Sequence, residues 1–287
     1  MLHNDVLLAL QRHDAAMAQS GLKKLAHEYP QHPSLANMQA LIEASDALAK
    51  ESAPALVDLT ALALARRALQ NEVVPAANKL MGISEAVVWL RPFWQALVQR
   101  AAHLPFRSDS EADHVVPMLL HLQDWQGAQL AITRIESWRR IPAPLAWMTQ
   151  ARLNLLGLQA NWGLLAELAW LSPKRLAVLV QTTTDLQRLI EQFEFEFEMD
   201  GSADTGGTDD DARLAWFPAW VLTAKPQYVA DLALAQVSQH TAPEQAMRLL
   251  VNLLGLERQG RQREIIGYRQ SLLDLNAWLY RAYLRTR

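Results

Sequence analysis

The sequence has no cysteine, and this absence excludes several kinds of site at once. Without thiols the chain has no disulfide, no thiolate metal centre and no cysteine nucleophile. The absence is typical of proteins from reducing compartments, so a cytoplasmic location is expected. The first residues lack a basic segment followed by a long apolar one, so no secretory signal is expected.

Long apolar runs and an excess of one charge are missing too. No stretch reaches the roughly 18 consecutive apolar residues of a membrane-spanning helix, so no span is expected. The formal net charge is only -3, which provides no basic field to attract phosphates. Nucleic acid is therefore not expected as a partner. The basic residues of the last segment are spread over several helix faces and do not change this expectation.

The residues that are abundant favour helices. Ala, Leu, Gln, Arg and Glu dominate, and these side chains lose little freedom in a helix. Apolar residues recur three and four positions apart, for example in 54–70, which is the helical period. Glycine is scarce, and prolines such as Pro173 and Pro243 stand where helices are expected to begin. The sequence therefore predicts an all-α fold.

Short connections between the predicted helices suggest that sequential helices are antiparallel neighbours. The predicted helices are 4–12, 14–28, 33–49, 54–70, 73–80, 84–101, 111–122, 125–139, 144–157, 161–170, 173–197, 213–223, 226–239, 243–258, 261–273 and 276–285.

A weak internal similarity appears at the turns between helices. An apolar residue, a polar turn and a new amphipathic helix recur, and the segments that carry the pattern best are DWQGAQLAI (124–132) and HDAAMAQSGLKKLAHEYPQHPSLANMQAL (13–41). These segments resemble parts of tetratricopeptide (TPR) repeats. The resemblance implies stacked antiparallel helical hairpins, a regular or irregular TPR-like α-solenoid, with a concave surface for a peptide or helix. An irregular globular helix bundle remains the alternative.

One stretch interrupts the helical pattern. Residues 199–212 are rich in Gly, Ser, Thr and Asp, and predict a flexible acidic loop. The loop divides the prediction into a TPR-like array over 1–198 and a C-terminal helical segment over 213–287, packed on the array or continuing it. Phe193, Phe195 and Phe197 alternate with glutamates just before it, and a helix end is favoured over a strand there.

The catalytic and metal signatures that we considered are incomplete. There is no His-Glu-x-x-His motif and no Gly-x-Ser-x-Gly elbow, so no catalytic residue and no cofactor is expected. Glu111 and His114 have the Glu-x-x-His spacing of a helical metal site, with His121 two turns further on. A structural role for these residues is the favoured interpretation, and metal binding is the weaker one.

Two groups of residues are candidates for binding a partner. Trp216, Phe217 and Trp220 form a dense aromatic group, which suits either an interface or the packing of the C-terminal helices. Arg261 and Arg263 lie in the basic last segment.

The sequence therefore supports a non-enzymatic interaction module, a scaffold, adaptor or chaperone-like protein that binds a partner peptide or helix. A helical-bundle enzyme, or a metal- or ligand-binding protein with an unrecognised pocket, is the alternative hypothesis.

Overall fold

The computed structural model describes residues 2–50, 54–199, 210–236 and 238–287. Helices account for the regular structure of these ranges, and no β-strand occurs within them. The all-α prediction is confirmed. The chain divides into two compact units, residues 1–124 (unit 1) and 125–287 (unit 2). No helix in the described ranges is long and apolar enough to cross a bilayer.

The described residues of unit 1, 2–50 and 54–124, form seven α-helices. They are α1 (Leu2–Gln11), α2 (Ala15–Glu28), α3 (Leu35–Ala49), α4 (Leu59–Ala68), α5 (Val74–Met81), α6 (Ile83–Ala101) and α7 (Val115–His121).

The first two helices of unit 1 form a tight hairpin. His13 has a φ of +55°, which reverses the chain after α1, and the Asp14 side chain accepts the Met17 N–H at 2.8 Å to cap α2. Gly21 allows the two helices to approach closely, because a Cβ there would lie 2.9 Å from a methyl of Val6. The hairpin predicted from the sequence at this turn is present.

The connection between α4 and α5 is a turn of π-helix over Leu69–Val73. The Val74 N–H bonds to the Leu69 carbonyl, five residues back, directly before Pro75. A proline ring clashes with the carbonyl four residues earlier in a regular α-helix, and the wider turn relieves that clash. The predicted break between 70 and 73 is therefore wrong: the helical run continues through it.

Unit 2 contains the remaining α-helices of the described ranges. They are α8 (Trp125–Thr133), α9 (Pro142–Leu156), α10 (Trp162–Leu171), α11 (Pro173–Val180), α12 (Thr184–Met199), α13 (Asp210–Arg213), α14 (Phe217–Ala224), α15 (Val229–Leu232), α16 (Ala242–Arg258), α17 (Gln262–Leu275) and α18 (Ala277–Arg285).

Aromatic rings fill the core of unit 2. Phe193 of α12 meets Phe217 and Trp220 of α14 at centroid distances of 5.7 and 5.6 Å, both edge to face. Trp278 of α18 closes the cluster, 4.8 Å from Phe197. Such pairs add to the free energy gained by burying the ring area. The cluster is possible because α12 stays helical to Met199, as favoured from the sequence, so that Phe193 and Phe197 share one face.

Several predicted helices differ in the structure. The helix predicted over 54–70 begins at Leu59, and the helix predicted over 125–139 ends at Thr133. The helix predicted over 173–197 is split into α11 and α12, because the Thr182 hydroxyl bonds to the Leu179 carbonyl where α11 ends. The helix predicted over 226–239 ends at Leu232, and 233–236 form no helix. The helix predicted over 111–122 begins at Val115.

The predicted acidic loop at 199–212 lies mostly outside the described residues. The helices on either side of it, α12 and α14, pack together within unit 2. The domain boundaries placed at 198 and 213 remain a prediction.

Candidate functional site

The aromatic residues that the sequence offered as partner candidates lie in or against the core of unit 2. Phe217 is 1% exposed and Trp220 0% exposed, whereas Trp216 is half-buried. The Trp220 ring donates its Nε1–H to Glu196 Oε2 at 2.9 Å, so its polar atom is also satisfied internally. For Phe217 and Trp220 the structure therefore provides a packing role, the alternative left open by the sequence.

The two arginine candidates lie at the start of α17, on the surface. Arg261 is the residue before the helix and forms an ion pair with Glu264 at 2.6 Å. Arg263 is exposed. Neither arginine lines a pocket that we describe below.

The residues considered for a metal site do not form one. His114 is not on the α-helix at all: it caps α7, and its Nδ1 accepts the Val116 N–H at 3.3 Å. Glu111 lies in a 3-10 turn before it, and His121 meets the Trp94 ring edge-on. Among the described residues no group of three possible ligands is close enough to hold a metal ion. The Glu-x-x-His spacing assumed a continuous helix, and the cap at His114 breaks it.

Burial changes the chemistry of His114 instead. The ring is buried and faces Phe106 edge to face at 5.6 Å. Desolvation lowers the pKa of His114 to about 4, because the charged form is the one that loses water. At neutral pH the imidazole is uncharged, which leaves a nitrogen lone pair for the cap.

A pocket in unit 2 has features that the sequence did not reveal. It has a volume of about 340 Å³, near the lower end of the range for small-ligand sites. We call it the arginine pocket. It is lined by Gln129, Thr133, Trp138, Arg139, Met148, Arg152, Ala160, Gly163, Leu164, Leu234 and Gln236. This lining contains two arginines and no carboxylate.

Arg152 is positioned in the pocket through its Nε. Its Nε donates to Asn161 Oδ1 at 3.1 Å, and Asn161 Nδ2 donates to the Gly157 carbonyl at 2.6 Å. Asn161 is only 1% exposed, so its amide is held in one orientation. In the described part of the chain no carboxylate pairs with Arg152. The two terminal nitrogens of its guanidinium are thus available to a ligand, and they form the fork that suits carboxylate or phosphate.

Arg139 enters the pocket from a short 3-10 turn. Ser137 has a φ of +54°, which ends the run after α8 and turns Trp138–Arg140 toward the pocket. Arg139 Nε lies 3.2 Å from Glu167 Oε2, close enough for an ion pair although poorly aligned for a hydrogen bond. A terminal nitrogen of Arg139 donates to the Gln236 side-chain oxygen. Arg139 is therefore already partly committed to protein groups.

Glu167 lies behind the pocket and connects two of its walls. The carboxylate is 1% exposed, and its Oε1 accepts the Gln236 backbone N–H at 2.8 Å. Gly163, one turn earlier on α10, allows the segment that contains Ala235 and Gln236 to approach, since a Cβ there would lie 3.1 Å from the Ala235 nitrogen. These contacts explain why 233–236 are not helical, although the periodicity predicted a helix there.

The arrangement can bind and orient an anion with an apolar neighbour. Met148, Leu164 and Leu234 supply apolar wall, and Arg152 supplies an uncommitted fork of donors. The Thr133 hydroxyl in the lining is directed to the Leu130 carbonyl at 2.8 Å, so its proton is engaged. The pocket thus combines a mostly apolar wall with a few placed donors.

A second pocket, in unit 1, differs in charge. It measures about 460 Å³ and is lined by Gln11, His13, Met81, Ser84, Glu85, Val88 and Trp89. The His13 ring stacks on Trp89 at 5.1 Å with an interplanar angle of 8°, and Trp89 Nε1 donates to the Leu10 carbonyl at 2.7 Å. Burial lowers the pKa of His13. This lining has one carboxylate and neither Lys nor Arg.

Comparison of the chain with protein-family models, with curated proteins and with solved structures found no match.

Proposed function

We propose that this protein is a non-enzymatic interaction module, and that the arginine pocket of unit 2 holds an anionic group of a partner peptide or helix. The observation that carries the proposal is Arg152, whose guanidinium lies in a concave pocket with its Nε fixed by a buried asparagine. A charge held in this way is organised before the ligand arrives, which lowers the entropy lost on binding.

The size of the pocket indicates how much of a partner it takes. A volume of about 340 Å³ suits one or two side chains of a peptide, and is too small for a whole helix. The pocket therefore serves as an anchor point, and other contacts of the partner lie outside it. Anchors of this kind, with an arginine and apolar walls, dominate the energy of many interfaces.

The proposal is tested by selecting binders from a library of random peptides displayed on phage, with the full chain immobilised. Wild-type protein is expected to enrich peptides that contain a carboxylate next to an apolar residue. Arg152→Gln is expected to lose this enrichment, because it removes the charged fork; for one defined peptide the loss should be about thirtyfold, from a charge-assisted hydrogen bond of about 2 kcal/mol. Arg152→Lys should recover only part, since it restores charge without the fork.

Arg140→Gln is the matched control. Arg140 is exposed, lies next to Arg139 on the same 3-10 turn and is not part of the lining. The substitution changes the net charge by the same amount as Arg152→Gln. Equal losses in both variants, or no enrichment by the wild-type protein, would contradict the proposal.

A further inference from the structure

The positive charge of the arginine pocket is partly balanced by the Glu167 carboxylate. Arg152 has no acidic partner in the described part of the chain, whereas Arg139 is paired with Glu167 at 3.2 Å. Two guanidinium groups line the pocket and one carboxylate lies directly behind it, so the local charge is one positive unit.

We propose that Glu167 determines the specificity of the pocket, by matching it to a singly charged carboxylate and against a doubly charged phosphate. This inference rests on the proposed function, because it requires that the pocket binds an anion. It goes further by naming the charge of the group that binds.

Attraction to the pocket and desolvation depend differently on the charge of the ligand. The attraction between the pocket and a ligand grows in proportion to the ligand charge. The cost of removing an ion from water grows more steeply, roughly with the square of its charge. A carboxylate in the pocket balances the single positive unit. A dianionic phosphate leaves one negative charge uncompensated beside the buried carboxylate of Glu167.

The geometry leads to the same conclusion. A phosphate has three oxygens to satisfy, and two free forks would suit it. Only Arg152 offers such a fork, because Arg139 directs its Nε to Glu167 and a terminal nitrogen to Gln236. A carboxylate has two oxygens, which one fork satisfies.

The charge of Glu167 can be separated from its structural role. Glu167 Oε1 accepts the Gln236 N–H at 2.8 Å, which holds the pocket wall. In Glu167→Gln the amide has nearly the same shape, and its oxygen can still accept this hydrogen bond. The variant therefore removes the negative charge and keeps the wall.

Two small probes with the same ring test the inference: 3-phenylpropanoate, a monoanion, and phenyl phosphate, mostly a dianion at pH 8 because its second pKa is about 6. The neutral 3-phenylpropanamide serves as the reference for ring binding alone. Dissociation constants come from NMR titration of the full chain, followed at the backbone amides of Gly163 and Gln236, which line the pocket.

We expect wild-type protein to bind 3-phenylpropanoate more tightly than phenyl phosphate. In Glu167→Gln both anions should gain, the dianion by about the square of the monoanion's factor, since the energy removed scales with ligand charge; a threefold gain for the carboxylate corresponds to roughly tenfold for the phosphate. Glu136→Gln makes the same change of charge at an exposed residue three positions from Arg139, and should leave both constants unchanged.

A second measurement needs no variant. Lowering the pH from 8 to 5.5 converts phenyl phosphate largely to a monoanion, while 3-phenylpropanoate stays mostly ionised. The wild-type affinity for phenyl phosphate should rise relative to that for the carboxylate. The lining contains no histidine and no carboxylate, and Glu167 behind it acts on both probes alike once both are monoanions.

The outcomes separate the two proposals. Tighter wild-type binding of phenyl phosphate at pH 8, or equal gains for both probes in Glu167→Gln, would overturn the role of Glu167 and leave the anion pocket intact. Binding of neither anion beyond the neutral amide would overturn both.

Discussion

Unit 1 buries an imidazole, that of His114, whereas unit 2 buries the carboxylates of Glu167 and Glu244. His114 uses its lone pair to cap a helix, so it is held uncharged. Each of these two buried carboxylates forms an ion pair with an arginine: Glu167 pairs with Arg139, and Glu244 pairs with Arg248. The difference shows that one chain satisfies buried titratable groups in two ways, and it predicts that acid acts on the two units through different groups.

The pockets extend the same contrast. The unit 1 pocket beside His13 has Glu85 and neither Lys nor Arg, and the arginine pocket of unit 2 has Arg139 and Arg152 and no acidic residue. Seven of the eight histidines of the sequence also lie in unit 1. The proposed anchor for an anion thus lies in the unit whose buried carboxylates are paired with arginines.

The largest effect is expected when a buried carboxylate of unit 2 is removed. Glu244 Oε2 accepts the N–H groups of Gln239 and His240 and the Ser238 hydroxyl, and its Oε1 pairs with Arg248 at 3.0 Å. Glu244→Ala leaves these donors without an acceptor, so the free energy of unfolding should fall by about 3–5 kcal/mol. Urea denaturation measures this change.

Glu264→Ala is the control for that experiment, since Glu264 is exposed and its pair with Arg261 lies on the surface. Its effect should be below about 1 kcal/mol. If both substitutions cost the same, the buried carboxylate does not stabilise unit 2 as we describe.

The second effect is the acid response of unit 1. His114 has a pKa of about 4 in the folded protein against an ordinary value of 6.5. Between these values the unfolded chain binds the proton more readily, so stability that is complete above pH 6.5 is lost as the pH falls to 4. The difference corresponds to about 3 kcal/mol. Hydrogen exchange at the α7 amides, measured at pH 7 and pH 4.5, follows the loss.

His114→Asn tests whether this histidine is the cause. Asparagine can cap α7 in the same way and does not titrate. The variant should lose most of the pH dependence of α7, and an unchanged dependence would remove His114 as its source.

The Glu244 carboxylate of unit 2 should respond only at lower pH. Burial alone raises the pKa of Glu244, but the hydrogen bonds from Gln239, Ser238, Arg248 and His240 outweigh it and the net pKa is lowered below 4.5. Stability from Glu244 is therefore present above pH 4.5 and is lost as the pH falls below that value. Loss of exchange protection in α16 at pH 5.5 would contradict the contrast between the units.

A smaller effect is expected at the wall of the arginine pocket. Gly163→Ala places a methyl group 3.1 Å from backbone atoms at 234 and 235, and should cost about 1–3 kcal/mol while weakening anion binding. Gly255→Ala is the control, because nothing lies within 4 Å of a Cβ there and the residue is inside α16. That variant should gain up to about 1 kcal/mol. Thermal unfolding distinguishes the two signs.

The smallest effect concerns Arg261, a partner candidate from the sequence. Its ion pair with Glu264 is half exposed, so Arg261→Gln should change stability by less than about 0.5 kcal/mol. If Arg261 contributes to partner binding, peptide affinity will fall with this variant; the account based on the arginine pocket expects no change.

The helices and several of their ends could be predicted from the sequence, because these features are local. Asp14 and Thr241 cap α2 and α16 as their side-chain chemistry suggests. Thr241 and Glu244 have the spacing of a capping box. The Thr241 side chain accepts the Glu244 N–H, but the Glu244 carboxylate reaches back past the cap to Gln239 and His240. The loop before α16 therefore has an anchor that the motif alone did not specify.

The arginine pocket could not be predicted, because its contacts join distant parts of the sequence. Glu167 and the Gln236 N–H are 69 positions apart, and the helical period of 226–239 concealed the non-helical segment 233–236. Trp216, Phe217 and Trp220 were partner candidates because aromatic residues are dense there. Local composition does not distinguish an interface from a core. The Asn161-Trp162-Gly163 sequence was the available signal, since a polar residue and a glycine beside a tryptophan suggest a close turn.

A double-mutant cycle tests the central claim most directly. The dissociation constant of an acidic peptide from the display selection, and of the same peptide with its carboxylate replaced by an amide, is measured by calorimetry against wild-type protein and Arg152→Gln. We predict that wild-type protein discriminates between the peptides by about thirtyfold and that the variant does not discriminate. Equal binding of both peptides to the wild-type protein, or full discrimination by Arg152→Gln, would contradict the account.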